Sequence, residues 1–259
     1  MRIDGCTALI TGATAGIGRE FACQLGGRAA TLVLVARRKA RLEELRGELL
    51  ERHRALRVEI RPTDLSRRAP VDELIAWADG QEAAIDLLIN NAGLGDMGAF
   101  STADPERVDQ MMQVNMVALT RLTRALLPAM IKQKRGAILN VSSSASFLPI
   151  PNFAVYAATK AYVTSFTEAL RGELHGTGIH LSALCPGPTH SEFSDVADSH
   201  SPTLERMKMP AAPVVAAGLD GLDRNKAVVI PGFKNKVGAQ MSRLLPRSTM
   251  RNIIGRIKV

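Results

Sequence analysis

Seven short apolar runs, at 6–10, 31–36, 56–60, 85–89, 136–141, 179–184 and 227–231, alternate with longer stretches of helix-like pattern. Parallel strands need a crossover between them, so this alternation predicts an α/β fold: a doubly wound, Rossmann-like parallel sheet of about seven strands with helices on both faces. At 259 residues the chain is long enough for one such domain with its own core. No internal repeat, long linker or low-complexity tract divides it. Residues 1–259 therefore read as a single domain, with 190–212 as a flap over the substrate and 234–259 as a basic amphipathic extension.

In open α/β sheets ligands collect at the carboxyl ends of the strands, and the chain places two glycine turns there. Cys6 to Ile10 leads into Thr11-Gly12-Ala13-Thr14-Ala15-Gly16-Ile17-Gly18 and then a helical segment, Arg19 to Gly26. Strand, glycine turn and helix start in that order let backbone N–H groups approach a pyrophosphate, favoured by the helix dipole. The spacing is TGxxxGxG rather than GxGxxG, and on its own it also fits a purely structural turn. A second turn, Asn90-Asn91-Ala92-Gly93, follows Ile85 to Ile89. The run Thr31 to Ala36 ends in Arg37-Arg38, and no carboxylate occurs between Glu20 and Glu43. Two guanidiniums suit a ribose 2′-phosphate, where a carboxylate would suit a 2′-hydroxyl, so NADP(H) is the expected cofactor. The rival reading has these arginines begin the solvated helix Arg38 to His53.

Tyr156 and Lys160 stand four residues apart in Tyr-Ala-Ala-Thr-Lys, 13 positions after Ser143. On a helix they share one face, where an ammonium is expected to favour the ionised phenol and so permit proton exchange near neutral pH. Ser142 and Ser144 flank Ser143, and local composition leaves open which of the three points inward.

Taken with the glycine turns, these residues resemble the short-chain dehydrogenase/reductase family, in the form that has about 250 residues. The likeness runs from residue 5 to about 190, in the family's motif order. It implies that Gly12, Thr14, Gly16, Ile17, Gly18, Arg37, Arg38, Asp64, Asn91, Ala92 and Gly93 bind the nucleotide. Asp64 would contact the adenine, although a strand-end aspartate capping the next helix is a fair rival. The offset of 13 residues selects Ser143 to help hold the substrate oxygen. Tyr156 would trade the proton, and Lys160 would bond the nicotinamide ribose. Asn115, in Val114-Asn115-Met116, would hold a water linking the lysine to solvent. Cys185-Pro186-Gly187-Pro188-Thr189 resembles the turn that walls the nicotinamide, with Pro186, Gly187 and Thr189 as contacts. The stretch 190–210 reads as the flap, its histidines His190 and His200 being solvent-exposed loop residues. No metal site is expected.

The resemblance implies an NADP(H)-dependent enzyme interconverting a ketone and a secondary alcohol. An apolar or fatty-acyl-like substrate is suggested by the tail and by Met207 and Met209. An NAD-linked alcohol dehydrogenase is the alternative, and a non-catalytic dinucleotide-binding scaffold a weaker one, since Tyr156 and Lys160 are both present. Helices around Asp104 to Lys132 and Tyr156 to His175 match those through which the family forms dimers and tetramers.

The formal net charge is +8, yet Arg224 to Val259 holds nine Lys or Arg and no Asp or Glu, so the excess is local. Val237, Met241, Leu244, Leu245, Met250, Ile253, Ile254 and Ile257 fall near helical spacing between those cations. Such a stripe either packs over the cleft or a second subunit, or lies on an anionic membrane. Phe233 is the tail's only aromatic, which argues against nucleic acid. Three cysteines, no apolar run near the ~20 residues of a span, and a start that passes directly into the first strand predict a cytoplasmic protein without a cleavable signal.

Overall fold

The computed structural model describes residues 3–81, 84–197, 202–244 and 246–256. Its sheet contains β1 (Thr7–Thr11), β2 (Thr31–Ala36), β3 (Arg57–Pro62), β4 (Leu87–Asn90), β5 (Gly136–Val141), β6 (Ile179–Leu184) and β7 (Val228–Val229). All seven are parallel, in the order β3-β2-β1-β4-β5-β6-β7. Each lies within two residues of its expected position, and the last is the shortest, pairing with β6 through Val228 and Val229. Pro231, which has no N–H to donate, ends that run.

The helices are α1 (Gly16–Gly26), α2 (Lys39–Arg52), α3 (Arg68–Asp79), α4 (Pro105–Met112), α5 (Leu119–Gln133), α6 (Ala154–Glu173), α7 (Phe193–Val196), α8 (Pro202–Met207), α9 (Ala211–Asp223), α10 (Phe233–Leu244) and α11 (Arg247–Arg256). Strand period two divides the core between the sheet's faces. Ala8, Ile10, Leu32 and Leu34 pack with Phe21, Leu25, Leu45 and Leu219 beneath α1, α2 and α9. Leu9, Val33, Val35 and Leu88 pack with Val71, Leu122, Leu126 and Tyr156 beneath α3, α5 and α6. Fully burying each of the valine, leucine, isoleucine and phenylalanine side chains among them contributes about 1.5–3 kcal/mol.

The run 105–133 is helical throughout, with a π-helical segment, Gln113–Ala118, joining α4 to α5. By length and average composition alone it is apolar enough to cross a membrane, a test that the core helix of a globular protein also passes. Arg121 and Arg124 interrupt it in sequence, while Met111, Val114, Ala118, Leu122, Leu126 and Met130 bury one face in the core. Between β1 and β4 the strand order reverses, and the crevice outside their carboxyl ends is where such sheets bind ligands.

Candidate active site

A cleft of about 630 Å³ runs along that crevice, lined by the glycine turn at one end and by Tyr156 at the other. Thr11, the last residue of β1, braces the floor. Its hydroxyl donates to the Ile89 carbonyl and accepts from the Asn91 and Ala92 amides, the latter two at 3.0 Å. The Asn91 side chain donates back to the carbonyls of Thr11 and Gly12. These contacts lock the two turns together so closely that a Cβ on Gly12 would meet Ala92 Cα at 2.9 Å. One on Gly18 would meet the Gly12 carbonyl at 2.1 Å. Gly12 and Gly16 also take positive φ angles, 67° and 50°, where a side chain is strained.

Helix α1 begins with no side-chain cap and no acidic residue in its first turn, so its N–H groups are left to an anion from the cleft. Ala36, Arg37, Arg38, Thr63 and Asp64 continue the wall. Arg38 donates to the Thr14 hydroxyl at 3.4 Å. Asp64 accepts from the Ser66 amide and hydroxyl, at 3.0 and 2.7 Å. Asp64 thus forms a turn ahead of α3 and does not cap that helix, whose N-cap is Arg67, while its position lines the cleft. A glycine cradle, uncapped helix start and paired guanidiniums together fit a dinucleotide carrying an extra phosphate.

At the far end, the three serines separate. Ser142 is buried and donates to the Lys160 carbonyl at 2.8 Å, sharing a second bond with Thr164. Ser143 caps the short 3₁₀ helix Ser144–Phe147 by accepting from the Ala145 amide, and it lies beside the Tyr156 phenol. Lys160 Nζ donates to the Val141 carbonyl at 2.9 Å and stands 5.7 Å from the Tyr156 ring centroid.

The electrostatics differ from the sequence expectation. Burial pushes the Tyr156 phenol up to about 12, with the Ser143 hydroxyl acting the other way. Burial likewise pushes Lys160 down to about 8. Desolvation outweighs the lysine because the ammonium is turned to a carbonyl and two aromatic rings surround the phenol. Phe153 stacks on Tyr156 at 4.3 Å between centroids, and Phe193 of α7 tilts against it at 5.2 Å.

Asn115 sits in the π-helical segment, buried, with its Oδ1 accepting from the Leu94 amide at 2.8 Å. Its Nδ2 donates to the Leu94 carbonyl and to Thr159 Oγ1. The side chain thus ties the loop after β4 to α6. A Cβ on Gly93 would stand 3.3 Å from Lys160 Nζ, so glycine there leaves the lysine its place.

Pro186, Gly187 and Thr189 line the same cleft, Thr189 donating to the Gly187 carbonyl at 2.9 Å. His190 is exposed, and His200 lies outside the described residues. The described part of the flap includes two short helices, α7 and α8. The predicted tail stripe splits. Met250 and Ile254 are buried, and Ile254 reaches the cleft with Asn235, Gly238 and Ala239 of α10. Phe233, Val237, Met241 and Leu244 stay exposed, at 82, 43, 45 and 78%. Leu245 and Ile257 lie outside the described residues, and the Ile253 side chain is not described. The site also includes Thr11, Phe153, Glu192 and Phe193, which the motif spacing does not single out. A phenylalanine three residues before the tyrosine was a usable signal for Phe153, whereas Phe193 and Glu192 reach the site only through the flap.

The short chain dehydrogenase family model matches residues 6–201, and the chain belongs to this family of oxidoreductases. A short-chain dehydrogenase from Sphingobium yanoikuyae, solved in complex with NADPH, superposes with a TM-score of 0.84 at 33% identity, over 98% of this chain and 96% of that one. An uncharacterized oxidoreductase of Myxococcus xanthus is 31% identical over 93% of this chain and 92% of its own. The NADP-dependent 3-hydroxy acid dehydrogenase YdfG of Escherichia coli K12 is 36% identical over 73% of this chain and 75% of its own.

Proposed function

We propose that the chain is an NADP(H)-dependent oxidoreductase interconverting ketones and secondary alcohols, acting in cells as a carbonyl reductase on apolar substrates. One observation carries this reading: a continuous cleft joins the glycine turn and Arg37–Arg38 to Ser143, Tyr156 and Lys160. The NADPH complex of the Sphingobium relative and the NADP-dependent name of the Escherichia coli one support the cofactor choice. Bound there, the cofactor supplies the hydride. Gly12 to Gly18 would seat its pyrophosphate, Thr14, Arg37 and Arg38 its 2′-phosphate, and Asp64, Asn91, Ala92 and Gly93 its adenosine side. Pro186, Gly187 and Thr189 would wall the nicotinamide, and Lys160 would hold its ribose.

A substrate oxygen between Tyr156 and Ser143 would meet two hydroxyl donors as it gains negative charge. Burial holds Tyr156 protonated at neutral pH, the state needed to give a proton in reduction. Asn115 fixes α6 against the loop after β4 and so fixes the tyrosine's position, beside its family role toward water. Leu148, Ile150, Phe153, Phe193 and Ile254 give the cleft an apolar wall suited to bulky or fatty-acyl-like ketones. Three free cysteines, two of them buried, favour a reducing, cytoplasmic setting. A ketone and acyl-thioester panel, followed by NADPH and NADH oxidation, tests the reading. It predicts turnover with NADPH, whereas equal turnover with NADH that Arg37→Ala does not change would favour the NAD-linked alternative.

The exposed face of α10 supports a peripheral contact with anionic lipid. Phe233, Val237, Met241 and Leu244, spaced by four, four and three, fall within about 80° of helix surface. The surrounding tail has only basic charge. Full-length protein should sediment with anionic liposomes at low salt, and protein truncated at Lys234 should not. Full-length protein left in the supernatant would remove this contact.

A further inference from the structure

We propose that Glu192 is a specificity-determining residue that opposes the 2′-phosphate of the cofactor and so sets the NADP(H) to NAD(H) ratio. The inference rests on the cofactor reading above, whose family markers are the arginines; Glu192 lies far from them in sequence, on the flap.

Glu192 follows Thr189 by three residues and immediately precedes α7. Its carboxylate accepts from Arg38 Nη2 at 2.7 Å and from Arg41 Nη1. The same Arg38 nitrogen reaches Thr14 Oγ1 at 3.4 Å. A carboxylate thus already occupies the guanidinium that, with Thr14, faces the end of the cleft expected to hold the phosphate. Its neighbour Ser191 is seated on the glycine turn, since a Cβ on Gly16 would come within 2.4 Å of Ser191 Cβ. The start of the flap therefore rests on the nucleotide end of the site, and Glu192 is held there by a packed backbone. Hydrogen bonds from Arg38 keep its carboxyl below the usual range, and it is charged at neutral pH.

A 2′-phosphate entering this corner must either take Arg38 from Glu192 or sit beside a like charge. Both outcomes weaken its binding. A 2′-hydroxyl brings no charge and can donate to the same carboxylate, so the penalty falls on NADP(H) alone. The three side chains are about half exposed, with relative exposures of 45, 47 and 38% for Arg38, Arg41 and Glu192, so the penalty is screened by solvent and salt.

The test uses adenosine 2′,5′-bisphosphate and AMP, titrated calorimetrically against wild type and Glu192→Gln at low and high salt. Glu192→Gln should bind the bisphosphate about fivefold more tightly at low salt, with the gain shrinking at high salt. AMP affinity should stay within about twofold, which reports an intact cleft; Glu192→Ala provides a second variant if the glutamine disturbs it. Unchanged or weaker bisphosphate binding in folded variants would overturn the role of Glu192. The cofactor reading is judged separately, by whether wild type prefers the bisphosphate to AMP at all.

Discussion

The phenol of Tyr156 lies between Phe153 and Phe193 with the Lys160 ammonium above its ring, and burial raises its proton affinity more than its neighbours lower it. The lysine moves the opposite way, to about 8, because burial disfavours its charge. The two shifts predict the order of titration: with rising pH Lys160 discharges first and the tyrosine remains protonated well beyond it. Ketone reduction at saturating NADPH should therefore be level at lower pH and fall through about pH 8. Lys160→Arg, which stays charged, should move that limb upward in the kcat profile; a limb still near pH 8 would detach it from the lysine. Residue types and their spacing were legible here, since Tyr156 and Lys160 share a helix. The sign of the tyrosine's shift was not, because desolvation depends on Phe193, 37 positions away.

At the scale of elements, the strands and both glycine turns could be read because period two, apolar runs and glycine are local signals. The Thr11 brace could not, since it links β1 to the turn after β4 across about 80 residues. Nor could the split of the tail stripe, which depends on which face of α10 and α11 meets the cleft. The turn tolerates no added carbon where its two segments touch. Gly18→Ala should weaken NADPH binding at least about tenfold and destabilise the protein by about 1–3 kcal/mol, seen by fluorescence titration and chemical denaturation. Wild-type affinity in that variant would mean that the turn can open without loss.

For the whole molecule, the helical run 105–133 and α6, expected to face a second copy, carry exposed apolar side chains: Val117, Ile131 and Tyr162 are each 39% exposed. Light scattering should give a homodimer or homotetramer, and Val117→Glu with Tyr162→Glu should shift it toward monomer. A monomeric wild type would remove that expectation. The tail closes on the site from the other side, with Asn235 against Gly187 and Ile254 in the cleft, so the carboxyl ends of the strands gather the glycine turn, Tyr156 and an apolar wall. If Tyr156 delivers the proton and the glycine turn and arginines only bind, removing its hydroxyl slows the chemistry without loosening the cofactor. Single-turnover oxidation of bound NADPH by a ketone substrate, compared between wild type and Tyr156→Phe, tests it most directly. NADPH affinity should be unchanged and the rate lowered by about 10²–10⁴-fold in the variant; NADPH oxidation at the wild-type rate would take the proton-donor role from Tyr156.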